Sequence, residues 1–269
     1  MIPSISVSNA VQQKVPLPVQ NVIGFPISTL SFDEQVETMT NWAKVRQSKI
    51  VCVSNVHMLM EGHWHSNFSS VLSKADLLTP DGMPLVWLAG LMKGSAQDRV
   101  AGMDLMQALC QQAEVLGVSI FFFGSTTETL VKIKAQLTKE FPDLEIAGMV
   151  SPPFRPLSLE EDQQIVNEIN RSGAGLVFVS LGCPKQERWM SQRQGEVKAV
   201  MVGLGGAFAV YAGIKQWAPA WVRDNGLEWL YRLIQEPGRL WKRYASTIPP
   251  FLWLALNQVV KARLGLNPD

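Results

Sequence analysis

Asp81 stands in Thr79-Pro80-Asp81-Gly82, directly after the apolar pair Leu77-Leu78. Proline fixes one turn position and glycine permits another, so the carboxylate is held on a tight, rigid loop at a predicted strand end. A general base needs that placement, with room for substrate beside it. Pro-Asp-Gly is also common turn chemistry, and taken alone the stretch reads first as a turn. A second constellation is Gly182-Cys183-Pro184-Lys185-Gln186-Glu187-Arg188-Trp189. Pro184 suits a first helical turn, which sets Lys185 and Gln186 at a helix N-terminus, where an anion is favoured. Gln186 could hydrogen-bond a sugar or phosphate. The plainer reading is ordinary capping with a Glu187–Arg188 surface pair. Cys183 as a nucleophile has no histidine near in sequence to activate it.

Gly124-Ser125-Thr126 and Gly203-Leu204-Gly205-Gly206-Ala207-Phe208 are glycine-bearing strand-to-helix turns. Both could let backbone approach a diphosphate, and neither carries the G-K-[ST] of a phosphate-binding P-loop or a well-placed G-x-G-x-x-G. Tight strand–helix packing is the competing explanation. The only histidines are His57, His63 and His65, and no carboxylate or cysteine completes a metal set with them. Asp-x-Asp does not occur, so no such pair is available to hold a divalent cation on a nucleotide diphosphate. A transferase would then have to meet the leaving diphosphate with cationic side chains. Arg99 and the C-terminal arginines are the candidates; the alternative for Arg99 is an exposed pairing with Asp98. No metal and no cofactor is expected.

These residues need elements to position them. Ser31 to Glu34 is a capping box opening a helix to about Gln47. Ile50–Val53, Val118–Gly124, Leu144–Val150, Leu176–Gly182 and Ala199–Gly203 read as strands. Helices are predicted around Leu59 and Leu72, over Ala101–Leu116, after a capping box at Ser125–Glu128, and after another at Ser158–Glu161. Apolar strands bounded by glycine and alternating with amphipathic helices predict an α/β fold, a Rossmann-like parallel sheet with helices on both faces. Ligands bind beyond the carboxyl ends of such strands. The loops in question are 54–57, 79–84, 124–127, 151–154, 182–187 and 203–208.

The chain is 269 residues long, 47% hydrophobic and 17% charged, with net charge +1. That permits a sizeable core, names no charged partner, and leaves apolar surface for a membrane or protein. Nothing before residue 220 suggests nucleic-acid binding. Three widely spaced cysteines are no disulfide framework, and a reducing cytoplasm fits them. Residues 1–20 read as a disordered leader without a signal peptide, and residues 21–220 as the α/β core. From about Trp221 the texture changes. Five cationic residues and no acid lie between Arg239 and Arg263, and tryptophans recur at 217, 221, 229, 241 and 253. Tryptophan and tyrosine beside arginine and lysine, flanking an apolar run too short to span a bilayer, are the marks of an interfacial segment. Residues 221–269 are therefore expected to form a helical, membrane-facing appendage. A helical pair closing the core, or an oligomer interface, is the alternative.

Several blocks match a known family together. They include Ser54-Asn55-Val56-His57, Ala75 to Gly82, Arg99-Val100-Ala101-Gly102-Met103-Asp104-Leu105, Phe123-Gly124-Ser125, Leu181 to Glu187, Val202 to Phe208, Gly226 to Arg232, and Glu236 to Leu240. In order and spacing, over roughly residues 22–245, the chain resembles the WecG/TagA/CpsF glycosyltransferases, glycosyltransferase family 26. The resemblance implies transfer of a sugar, often N-acetylmannosamine or its uronic acid, from a UDP-sugar to an undecaprenyl-diphosphate-linked saccharide. Known members invert the anomeric centre without a bound metal. It implies Asp81 as the base, with Asn55, Arg99 and Gln186 as pocket residues. Asp104, Gly124, Ser125 and Gly205 fall in matched blocks and join them as substrate-binding candidates. Arg232 and Arg239 match cations of an appendage that reaches over the site at the membrane, and a third falls on Lys242 or Arg243, here assigned to Arg243. Cytoplasmic placement on the inner membrane face follows, and a homo-oligomer stays open. One departure is Val53, where some members carry threonine. The competing functions are a nucleotide-sugar epimerase or dehydrogenase and a non-catalytic membrane-associated assembly protein.

Overall fold

A computed structural model describes residues 16–266. The expected leader at residues 1–20 falls outside the described residues up to position 15, but Val19 and Gln20 already belong to a strand. Strands β1 (Val19–Val22) and β2 (Phe25–Ser28) form an antiparallel hairpin. Both residues of its two-residue turn, Ile23 and Gly24, have positive φ, the geometry that matches strand twist. Glycine accepts this readily and isoleucine does not. Packing holds Ile23 there: it is 9% exposed, and its N–H donates to Gln258 Oε1 at 2.8 Å. The expected start of the core at residue 21 thus falls inside the first strand of a hairpin.

Helix α1 (Phe32–Lys44) opens on the predicted capping box at Ser31. Then come β3 (Lys49–Ser54), α2 (Val56–Trp64), α3 (Ser66–Leu72), β4 (Leu77–Pro80) and α4 (Met83–Lys93). The last helix was not legible as a helix in the sequence, because its residues are apolar on most sides and give little periodicity. The chain continues with α5 (Gly102–Leu116), β5 (Ile120–Gly124), α6 (Thr127–Glu140), β6 (Ile146–Val150), α7 (Leu159–Ser172), β7 (Leu176–Ser180), α8 (Lys185–Gln192), β8 (Val200–Gly203) and α9 (Ala207–Tyr211). Helix α6 corrects one expectation. Its cap is Thr126, which accepts from Thr129 N, while Ser125 has φ 63° and stands outside the helix.

Strands β3 to β8 form one parallel sheet in the order β4-β3-β8-β7-β5-β6. Both faces are covered. Ile50, Phe121, Val177 and Met201 point into one core with α2, α3, α7 and α8, while Val51, Phe122, Phe178 and Val202 point into the other with α1, α5, α6 and α9. Alternation along each strand makes that division, so a fully apolar strand feeds two cores at once.

The C-terminal part is helical, as expected: α10 (Ala220–Asp224), α11 (Glu228–Gln235) and α12 (Pro237–Arg263). Leu240, Thr247, Phe251 and Gln258 are buried along α12 at intervals of seven, four and seven residues, so one stripe packs inward. It lies against α2 and α4. Gln258 reaches the hairpin: it accepts from Ile23 N–H, and its Nε2 donates to Asn21 O at 2.7 Å. The β1–β2 hairpin and the C-terminal helix are thereby joined by one amide. Gln258→Leu is expected to leave both backbone groups unpaired and cost about 1–3 kcal/mol, read as a lower urea midpoint with an unchanged slope.

Candidate active site

Adjacent strands β3 and β8 send their following helices to opposite faces, α2 to one and α9 to the other. Parallel sheets open a crevice at such a reversal. Here a cleft of about 540 Å³ opens at the carboxyl ends of the strands. Asn55, Asp81, Arg99, Gln186 and Gly205 line it from the core, and Arg232, Arg239 and Arg243 line it from α11 and α12. Eight of the eleven residues expected at the site thus meet in one cavity, where Val53 also lies.

Asp81 follows β4 directly. Its N–H and that of Gly82 both donate to Ser54 O, at 2.9 and 3.2 Å, which fixes the turn to the end of β3. A Cβ on Gly82 would stand 3.3 Å from Asn55 Cα, so the two loops touch. Asn55 caps α2, its Oδ1 accepting from Met58 N at 3.2 Å. That leaves its amide nitrogen for the cleft.

Arg99 departs from the exposed Asp98 pairing considered above: Asp98 instead caps α1, accepting from Phe32 N at 3.0 Å. The Arg99 Nε donates to Asp81 O at 2.7 Å, and its Nη2 donates both to Asp81 Oδ1 at 3.0 Å and to Glu228 Oε2 at 2.7 Å. The three side chains are only 19–22% exposed. Burial pushes the Asp81 carboxyl above its ordinary value; Arg99 and Arg232 oppose this, and Glu228 adds to it. The carboxylate uses only Oδ1 for Arg99, and Oδ2 has no hydrogen-bond partner among the described residues. A carboxylate with a raised affinity for protons and a free oxygen is the result.

Gln186 is 4% exposed at the cleft floor. Its Nε2 donates to Glu187 Oε1 at 2.7 Å, and its Oε1 accepts from Gly182 N at 3.2 Å. A Cβ on Gly203 would come within 2.9 Å of its Nε2, and one on Gly205 within 3.3 Å of its Oε1. These glycines make room for a side chain. Glu187 forms no surface pair with Arg188: it is fully buried, and Arg188 lies over the Phe68 ring. Burial pushes the Glu187 carboxyl up and, with Glu187 nearby, pushes the Cys183 thiol up as well. A thiol held protonated is a poor nucleophile.

Three candidates stand away from the cavity wall. Asp104 pairs with Arg223 of α10 at 3.2 Å, and Arg223 also lies 3.9 Å over the Trp217 ring. Asp104 thus ties α10 to the core. Gly124 and Ser125 end β5, four strands from β4, or roughly 19 Å at ordinary strand spacing. Gly124 has φ +114°, and a Cβ there would lie 2.3 Å from Ser180 O. Its glycine is required by close strand packing.

On the appendage side, Arg239 and Arg243 are one helical turn apart on α12. Arg239 pairs with Glu236, whereas Arg232 has no carboxylate partner among the described residues; a Cβ on Gly206 would lie 3.1 Å from its Nη2. Burial lowers the affinity of Arg243 for its proton, and its Nε lacks a partner. His57 faces the same space. Burial, and then the charge of Arg243, pushes it down to about 4, so it is neutral at physiological pH. A cleft lined by a half-shared carboxylate and three guanidinium groups can deprotonate a hydroxyl and receive a diphosphate. Among the described residues no group of three His, Cys, Asp or Glu is placed to hold a metal ion.

Sequence reasoning passed over Glu228 and His57. Glu228 lies inside a matched block, but nothing local marks an acid as the partner of an arginine 129 positions away. His57 also lies inside a matched block, but nothing local marks it beyond a metal ligand without partners.

A sequence model described as the Glycosyl transferase WecG/TagA/CpsF family matches residues 20–265. The chain is also similar to two proteins named N-acetylglucosaminyldiphosphoundecaprenol N-acetyl-beta-D-mannosaminyltransferase. The one from Bacillus spizizenii (strain ATCC 23059 / NRRL B-14472 / W23) is 30% identical over 239 residues, covering 86% of this chain and 90% of the relative. The one from Bacillus subtilis (strain 168) is 33% identical over 193 residues, covering 71% and 73%.

The packing at Gly124 separates structure from substrate contact. Gly124→Ala is expected to lose more than about 2 kcal/mol of stability, read as a lower melting temperature. A variant that melts like the parent yet binds substrate poorly would restore Gly124 to the substrate site.

Proposed function

The chain belongs to the WecG/TagA/CpsF glycosyltransferase family, and from that premise we propose that it moves an N-acetylmannosamine-type hexose or related uronic acid from a UDP-sugar to an undecaprenyl-diphosphate-linked saccharide, with inversion and without a bound metal. The relatives' names supply the lipid-linked acceptor and the transferred sugar. Family membership makes the chain a glycosyltransferase, which sets aside the epimerase, dehydrogenase and non-catalytic readings.

The observation that carries the mechanism is that Asp81 and the guanidinium groups of Arg232, Arg239 and Arg243 line one cleft. Asp81 Oδ2 takes the proton of the acceptor hydroxyl as its oxygen bonds the anomeric carbon. The bond from that carbon to the UDP oxygen breaks, and its electron pair leaves with the diphosphate. Guanidinium groups meet the charge where it develops. Asn55 and Gln186 orient the sugars, which supports direct, one-step displacement. Residues 221–269 are proposed as the unit that places this cleft on the inner face of the membrane. No helix of the described residues is long and apolar enough to cross a bilayer. Trp221, Ile234, Trp241, Leu252 and Trp253 are all more than half exposed, with Arg239 and Lys242 beside them. An apolar face bordered by cations suits the headgroup layer of anionic lipid.

UDP release from UDP-N-acetylmannosamine with a lipid-diphosphate-N-acetylglucosamine acceptor is expected and should be unaffected by EDTA. Asp81→Asn is expected to abolish turnover while keeping UDP binding. It should not lower the melting temperature at pH 7. The folded-state pKa of Asp81 is raised, so its charge opposes folding above that pKa. For the same reason, kcat/KM should fall as pH drops through a value above the ordinary aspartate range. Full activity in Asp81→Asn would remove the assigned base. The double variant Trp241→Ser, Trp253→Ser is expected to lose flotation with anionic phospholipid vesicles while melting like the parent. Undiminished flotation would remove the membrane role of that face.

A further inference from the structure

Arg99 is contested. One nitrogen, Nη2, bonds Asp81 Oδ1 from the core and Glu228 Oε2 from α11, while Nε holds the Asp81 carbonyl. The carbonyl bond fixes the Asp81 backbone whatever the ionisation of its side chain. The forked bond does something different. A guanidinium facing one carboxylate alone would hold it as a satisfied ion pair, which makes a weak base. Sharing the same nitrogen with a second carboxylate weakens that hold without removing the arginine.

We propose that Glu228 is a positioning residue for the transfer reaction, holding Arg99 between two carboxylates so that Asp81 is oriented by the guanidinium but keeps the basicity to take the acceptor's proton. The inference rests on the reading of Asp81 as the base.

The neighbours of Asp81 agree in sign. Arg99, from the segment before α5, and Arg232 of α11 favour its charge, while Glu228 of α11 disfavours it. Asp104 of α5 is engaged by Arg223 of α10, and on the α2 side Asn55 is uncharged and His57 neutral. Glu228 is thus the acid placed directly against the arginine that Asp81 uses. Its position on α11 gives it a further consequence: the acid that tunes the base arrives with the same helix that brings Arg232.

The test is the pH dependence of kcat/KM for UDP release by the full chain. Glu228→Gln keeps a hydrogen-bonding group against Arg99 and removes the charge. Its acidic limb should move to lower pH by roughly half a unit, and the plateau should fall by roughly two- to threefold, because a less basic carboxylate takes the proton less readily. KM for the UDP-sugar should change little. Glu228→Asp restores the charge on a shorter arm and should bring the limb part of the way back. A limb that stays in place, with or without a lower plateau, leaves Glu228 as packing only and overturns the proposal, as does a limb that moves up. If Glu228→Gln fails to fold, Glu228→Asp alone decides: a limb displaced downward supports the proposal and an unmoved limb overturns it. Asp81→Asn run alongside keeps the two readings apart. Retained activity there sinks the base and this proposal together. An inactive Asp81→Asn with a parental profile in Glu228→Gln sinks this proposal alone.

Discussion

A part-buried guanidinium must find most of its partners inside the protein, and much of the site follows from how Arg99 finds them. Its charge cannot be left alone at 19% exposure without a large cost. The chain meets that demand with a carbonyl and a carboxylate from the β4 turn and a second carboxylate from α11. One side chain therefore joins the sheet, the loop entering α5 and the C-terminal helices. The cleft exists because these three parts are held apart at their edges and together at this point.

The sheet supplies the opening. Strands β3 and β8 are neighbours whose chains leave in opposite directions, so the space beyond them is covered by neither α2 nor α9. Glycines at 203 and 205 keep the floor low enough for the Gln186 amide. Glu187 beneath it holds the amide nitrogen and Gly182 holds the oxygen. An amide bonded at both ends keeps one orientation, and that is how a neutral side chain becomes a fixed recognition surface.

The parallel sheet, its strands and most capping boxes were legible because each is written locally: short apolar runs, glycine stops, Ser-x-x-Glu starts. Asp81 was legible as a rigid turn and became a candidate base through the order of the surrounding blocks. What was not legible depends on distance along the chain. The β1–β2 hairpin has a turn that isoleucine disfavours and is held by Gln258, 235 positions away. Helix α4 hides because apolar residues surround it. Gly124 carried the look of a diphosphate turn, yet its missing Cβ answers to the Ser180 carbonyl of the neighbouring strand. Local glycine patterns do not say which neighbour needs the space.

The C-terminal helices must satisfy two environments with one sequence. Helix α12 buries Leu240, Thr247, Phe251 and Gln258 while exposing Trp241, Leu252, Trp253 and Leu256. A helix apolar on two sides is usually buried on both. Here the second side is exposed among the described residues, and cations accompany it. Pro249 and Pro250 remove two rungs of its backbone ladder near its middle, where a helix bends most easily. The part before them carries Arg239 and Arg243 into the cleft, and the part after them carries Gln258 to the hairpin. The prolines thus fall between the half that lines the cleft and the half tied to the hairpin. In the proposed transfer, Asp81 must be aimed closely at the acceptor hydroxyl, whereas charge stabilisation of a leaving diphosphate tolerates adjustment. Asp81 accordingly follows a strand of the sheet directly, and the arginines sit on the C-terminal helices α11 and α12.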